Sequence, residues 1–147
     1  MRSPRPANGV SSMDRVVWGL LLFTAASVLA ASRFLTPSPT GVGTHEQLGL
    51  PPCGFLVWFG VPCPACGLTT AFAHLAHFDL FASLSANPMG LPLFVATLAF
   101  VPLALHAVVR GRSLLSFIDD IQGDKWALGF VVVTLVSWGA RLLARAV

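Results

Sequence analysis

The sequence predicts an all-α integral membrane protein with about three transmembrane helices. A further half-polar helix, packed in the bundle or lying at the interface, follows a Cys-x-x-Cys turn. Three features carry this. Only 10% of the 147 residues are charged while 55% are hydrophobic, and the mean hydropathy is +0.77. A soluble domain carries about 25% charged residues. A chain this poor in charge cannot solvate the surface of a globule, so lipid must be the solvent for much of it. Next, three long apolar runs are bounded by arginine, proline and glycine. Finally, all three cysteines and two of the four histidines fall between Cys53 and Pro88, a stretch too polar for an ordinary span. The length suits one domain. The net charge is only +3. Its arginines flank apolar runs, where they set membrane orientation, so nucleic acid is excluded as a partner and the lipid bilayer is expected.

Residues 1–15 hold Arg2, Arg5 and Arg15 with two prolines and a glycine, and read as a disordered basic tail. Met13 offers an alternative start. The first span is expected at about 16–35, where the run beginning at Val16 approaches the roughly 20 residues that cross a bilayer. Its basic flank and Val28-Leu29-Ala30 also suit a cleaved signal peptide. The length of the run and the spans that follow favour retention. Arginines ahead of it place the N-terminus in the cytoplasm.

Residues 33–52 form a loop, rich in turn chemistry from Thr36 to Gly43, with His45 and Glu46 as solvated residues. Gly54 to Val61 is apolar but too short to span. It reads as a short buried or interfacial segment, or a re-entrant one. From Cys66 to Ser85 the apolar residues Leu68, Phe72, Leu75, Phe78 and Phe81 or Leu84 recur at helical spacing. Pro64 suits the first turn of this helix, and Asn87-Pro88 ends it. The second span is expected at 91–109, an amphipathic surface stretch at 113–121, and the last span at 126–143. Arg141 and Arg145, near the end of that span, are expected to snorkel to the headgroups. If the Cys66–Ser85 helix does not cross, Arg110, Arg112 and Lys125 join the N-terminal arginines on the inside, and the positive-inside rule favours this three-span arrangement over four.

The cysteine-rich segment suits three chemistries. For thiol redox work the candidates are Cys63 and Cys66, with Cys53 as resolving thiol; a helix starting at the motif would stabilise a Cys63 thiolate through its free N–H groups. For metal binding, residues 66, 70, 74 and 77 share one face of a helix. Cys63, Cys66, His74 and His77 would then converge on zinc or another metal ion. In a purely structural role Cys53 pairs with Cys63 or Cys66, Gly67 permits close packing, and Thr69 or Thr70 caps the helix or bonds back along it. Asn87 and Pro88 fix the helix end. Asp79 reads as a solvated helix residue, and His106 has no assigned role.

The run Cys53, then Cys63-Pro64-Ala65-Cys66-Gly67-Leu68-Thr69-Thr70-Ala71, then Asn87-Pro88 resembles a bacterial family of small membrane proteins catalogued as domain of unknown function 2752. Its pattern is Cys, an apolar run, Cys-Pro-x-Cys-Gly-x-Thr-Arg-Ala, a helix and Asn-Pro. Thr70 stands where the family usually has Arg, so a charge-based role of that arginine does not carry over. The resemblance implies a multi-pass protein of a bacterial cytoplasmic membrane and brings no established activity. The expected function is therefore a non-enzymatic accessory or assembly component with other membrane proteins as partners. The alternative is a membrane thiol-redox or metal-handling protein.

Overall fold

Apolar runs become helices in this chain because lipid leaves the backbone no other partner than itself. A computed structural model describes residues 12–146, and among them all the regular structure is helical. The helices are α1 (Ser12–Phe34), a short 3₁₀ helix (Thr44–Leu48), α2 (Gly54–Phe59), α3 (Leu68–Ala76), α4 (Leu80–Ala86), α5 (Gly90–Arg110), α6 (Leu114–Asp120) and α7 (Gly123–Ala146). Three of them, α1, α5 and α7, are long and apolar enough to cross a membrane. At 1.5 Å rise per residue, α3 and α4 reach only about 14 and 11 Å, under half of the hydrocarbon thickness. The three-span expectation therefore holds, and the half-polar segment does not cross.

With three crossings, residues between α1 and α5 gather at one end of the bundle, and α6 lies at the other. At the α6 end, the Trp18 side chain is buried, with its indole N–H donating to the Arg112 carbonyl at 2.8 Å. It stacks on Phe100 and meets Phe117 edge-on, and Ala104 and Ala107 complete this small core. Asp120 on α6 accepts from Arg112 at 2.7 Å. The helical surface stretch expected after the second span is thus present as α6. At the opposite end, α3 packs against α1, α4 and α5. Gly90 lies so close to Ala71 that a Cβ there would collide with the alanine methyl, which lets the start of α5 cross α3 tightly. Phe72 and Phe94 meet edge-on beside that crossing.

Several expectations need correction. α1 starts at Ser12, ahead of the apolar run, so the end of the basic stretch is helical; residues 1–11 lie outside the described residues. The expected continuous helix over Cys66–Ser85 is two helices. Phe78 takes a left-handed conformation (φ +64°) and Asp79 restarts the chain as the N-cap of α4, accepting from the Ala82 N–H at 3.0 Å. The helical periodicity consequently fails at Phe78 and Phe81, which face outward. Asp79 is solvated, as expected, but it stands at the N-cap of α4 rather than inside a helix. The Cys-x-x-Cys pair precedes its helix, because α3 starts at Leu68. Of the readings of the apolar segment after Cys53, the buried one does not hold, since no residue of α2 is buried and Trp58 is 82% exposed; the interfacial one stands. The loop before it contains the 3₁₀ helix.

Candidate functional site

The site grows from a turn whose carbonyls and thiols face opposite ways. Residues 64–67 form the turn, closed by the Cys66 N–H on the Cys63 carbonyl and the Leu68 N–H on the Ala65 carbonyl, each 3.0 Å. Gly67 caps α3 in the left-handed region (φ +83°), and a Cβ there would come within 2.6 Å of the Ala86 carbonyl oxygen and 2.7 Å of that of Gly41. Only glycine fits both the conformation and the space. Asn87, 1% exposed, donates through Nδ2 to the Cys66 carbonyl at 3.1 Å and the Pro64 carbonyl at 3.4 Å, while its Oδ1 accepts from the Met89 N–H. Pro88 separates it from the first turn of α5.

Arg141 on α7 holds the same carbonyls from the other side. Its guanidinium donates to Pro64 at 2.9 Å, Cys66 at 3.1 Å and Ala86 at 3.5 Å. One helical turn earlier, Trp138 donates to the Pro62 carbonyl at 2.7 Å. The expected snorkelling of Arg141 to headgroups is therefore corrected: its two terminal nitrogens donate to three backbone carbonyls of the protein. The signal was in the sequence, since an arginine within an apolar helix has to find a partner.

With the carbonyl face tied down, the sulfurs turn into a cavity of about 240 Å³. Cys63 and Cys66 meet Cys53, the residue that caps α2, and the three sulfurs lie within 4.8 Å of one another. All three are free thiols. The Leu56 N–H at the start of α2 draws the Cys53 thiol down to about 7, against some desolvation and with help from the neighbouring thiols of Cys66 and Cys63 and the Phe55 N–H. Burial pushes Cys66 up to about 12, and the proximity of Cys53 and Cys63 adds to it. The helix-start argument made for Cys63 is thus transferred to Cys53, because α3 begins beyond Cys66.

The two histidines of the expected metal set do not join the thiols. His77 lies at the end of α3, its Nδ1 2.7 Å from the Ala73 carbonyl and its Nε2 3.3 Å from the Arg33 guanidinium. His74 Nδ1 lies 3.7 Å from Asp79 Oδ2. Neither lines the cavity. In their place stand His45 and Glu46, which the 3₁₀ helix carries to the cavity wall. Thr44 and Thr70, both fully buried, share a hydrogen bond of 2.8 Å that fastens the 3₁₀ helix to α3. The cap assigned to Thr69 or Thr70 thus takes the form of a tie from Thr70 to the loop, and Thr69 lines the cavity.

A family described as protein of unknown function (DUF2752) matches residues 53–101, which run from the first thiol into α5. The chain resembles that family over the whole cysteine turn. No curated protein matches the chain, and no solved structure does.

Proposed function

We propose that this is a membrane-anchored metal-handling protein whose thiols Cys53, Cys63 and Cys66 together bind one thiophilic ion. The observation that carries the reading is the convergence of three sulfurs within 4.8 Å. A disulfide needs two. An ion bound tetrahedrally at about 2.3 Å from each thiolate sets sulfurs about 3.8 Å apart, a spacing this trio reaches with little movement. Zinc(II) and copper(I) are the ions that thiolate sets select.

Orientation supports the same reading. Arg15, Arg110, Arg112 and Lys125 belong to the α6 end, against Arg33, Arg141 and Arg145 at the thiol end. By the positive-inside rule the α6 end faces the cytoplasm of a bacterial cell and the thiols face out. Two of three adjacent thiols in an oxidising space would be lost to a disulfide unless an ion held them. An accessory or assembly role fits this site, with the ion pinning α2 to the turn at a surface offered to other membrane proteins.

The test is metal content. Protein purified in detergent under reductant should retain one equivalent of zinc or copper, lost in each of Cys53→Ser, Cys63→Ser and Cys66→Ser. Retention of the ion by any one of these variants, or no ion in the wild type after reconstitution, would sink the reading.

A redox reading is favoured by the closeness of the Cys53 and Cys63 sulfurs, with the Cys53 thiol drawn down to about 7 by the Leu56 N–H. In it, the Cys53 thiolate attacks a partner's disulfide and expels one partner thiolate. Cys63 then loses its proton and displaces the second, leaving a Cys53–Cys63 disulfide and a dithiol partner. A reversible two-electron couple in metal-free protein, abolished by Cys53→Ser, would establish it.

A further inference from the structure

Resting on the trithiol metal reading, we infer that His45 is the fourth ligand, which makes the site a Cys₃His centre for a tetrahedral divalent ion of the zinc type. Three observations carry this.

The first is place. The cavity that receives the three sulfurs is also lined by His45 and Glu46. Glu46 is exposed and its carboxylate folds back on its own turn, since a Cβ on Gly43 would meet Glu46 Oε1 at 2.9 Å. His74 and His77 are engaged elsewhere. His45 is therefore the nitrogen donor at hand.

The second is tautomer. His45 Nε2 lies 3.2 Å from the Pro51 carbonyl oxygen. A carbonyl only accepts, so Nε2 carries the hydrogen, and the neutral ring keeps its lone pair on Nδ1. A ring N–H held by a backbone carbonyl while the other nitrogen is left basic is the arrangement of metal-ligating histidines. The anchoring carbonyl belongs to Pro51, two residues before the ligand Cys53, so one short segment positions both.

The third is support. The backbone at His45 is fixed on both sides. Thr44 Oγ1 accepts from the Ser38 N–H and is tied to Thr70, and Gln47 bonds both the N–H and the carbonyl of Thr36, at 3.1 and 2.6 Å. His45 stands outside the 4.8 Å trio, so ligation draws the sulfurs and the His45 ring together across the cavity and closes it over the ion, with the Nε2–Pro51 bond kept. That closure adds a fourth ligand, which zinc(II) requires and three-coordinate copper(I) does not.

The experiment titrates full-length reduced protein in detergent with cobalt(II), then displaces cobalt with zinc(II). Wild type should show thiolate-to-cobalt charge transfer and the strong visible bands of a tetrahedral ion. His45→Ala should keep the charge transfer, alter the visible bands, and weaken zinc by more than the roughly 10–100-fold that loss of an outer partner causes. His45→Gln, whose amide can still donate to Pro51, should lose as much and so separates ligation from loop support. His74→Ala and His77→Ala should bind as wild type does. Wild-type bands and affinity in both His45 variants would overturn the inference while leaving the trithiol site standing. Absence of charge transfer in the wild type would overturn the trithiol reading and the inference with it.

Discussion

The two ends of the bundle are held together by different physics. At the α6 end, Trp18 fills the space between α1, α5 and α6, 1% exposed, and closure is achieved by interdigitated side chains. At the thiol end, Asn87, Trp138 and Arg141 aim donors at the carbonyls of Pro62, Pro64, Cys66 and Ala86. Non-helical backbone buried away from water has to be satisfied by protein. The chain from Gly60 to Gly67 includes such backbone, and these side chains supply what an uninterrupted helix would have supplied internally. The difference teaches that the packed end sets the stability of the bundle, whereas the hydrogen-bonded end sets the position of the sulfurs.

Trp18→Ala breaks the first half of that contrast most sharply. It removes the indole from the Phe100 and Phe117 contacts and leaves the Arg112 carbonyl without its donor. Large aromatic truncations in cores cost about 3–5 kcal/mol. Lipid replaces part of the lost packing, so about 3 kcal/mol is expected here. Unfolding in mixed detergent should move accordingly, with metal binding unchanged in the folded fraction. If metal affinity fell in step, the two ends would be coupled and the contrast would fail.

Asn87→Ala breaks the second half. The Cys66 and Pro64 carbonyls and the Met89 N–H lose one partner, which leaves buried polar groups at a cost of about 1–3 kcal/mol. The distinguishing readout is zinc affinity, expected to fall about 10–100-fold, as for an outer-shell support. A stability loss with intact affinity would make Asn87 merely structural. Arg141→Lys is milder. A lysine keeps the charge but not the planar fork that reaches three carbonyls, so about 1 kcal/mol is expected, with a smaller loss of affinity than for Asn87→Ala.

The same contrast governs what could be read from the sequence. The spans were legible because lipid imposes composition and length on them directly. Asn87-Pro88 was legible as a stop because proline is a strong local constraint. The break at Phe78 was not, since an apolar residue in a left-handed conformation contradicts its own propensity, and only the Asp79 cap hinted at a restart. The convergence of Cys53 with Cys63 and Cys66 was seen only as one pairing among several. The placement of His45 depends on the Thr44–Thr70 contact across 26 residues, which no periodicity encodes. Arg141 is the intermediate case: its need for a partner was readable, but the partner carbonyls lie 75 residues away or more at Cys66 and Pro64.

The smallest effect concerns no stability at all and separates the thiols themselves. Cys53 is drawn down to about 7 chiefly by the Leu56 N–H, and Cys66 is pushed up to about 12 chiefly by burial. A thiolate is the reactive form, so a lowered value means reactivity is present above about pH 7 and lost as pH falls through it. In metal-free protein, alkylation at Cys53 should therefore plateau above pH 8. One pH unit below its midpoint it should drop to about a tenth. Cys66 should stay unmodified across the same range, as a buried thiol held in its protonated form. Peptide mapping after timed iodoacetamide treatment reads both sites at once. Adding zinc should silence Cys53 at every pH, because an ion at the convergence point occupies the same sulfur lone pairs. Equal labelling of Cys53 and Cys66 would show that the polar end does not hold its thiols apart in character, and that the carbonyl clamps do less than their geometry indicates.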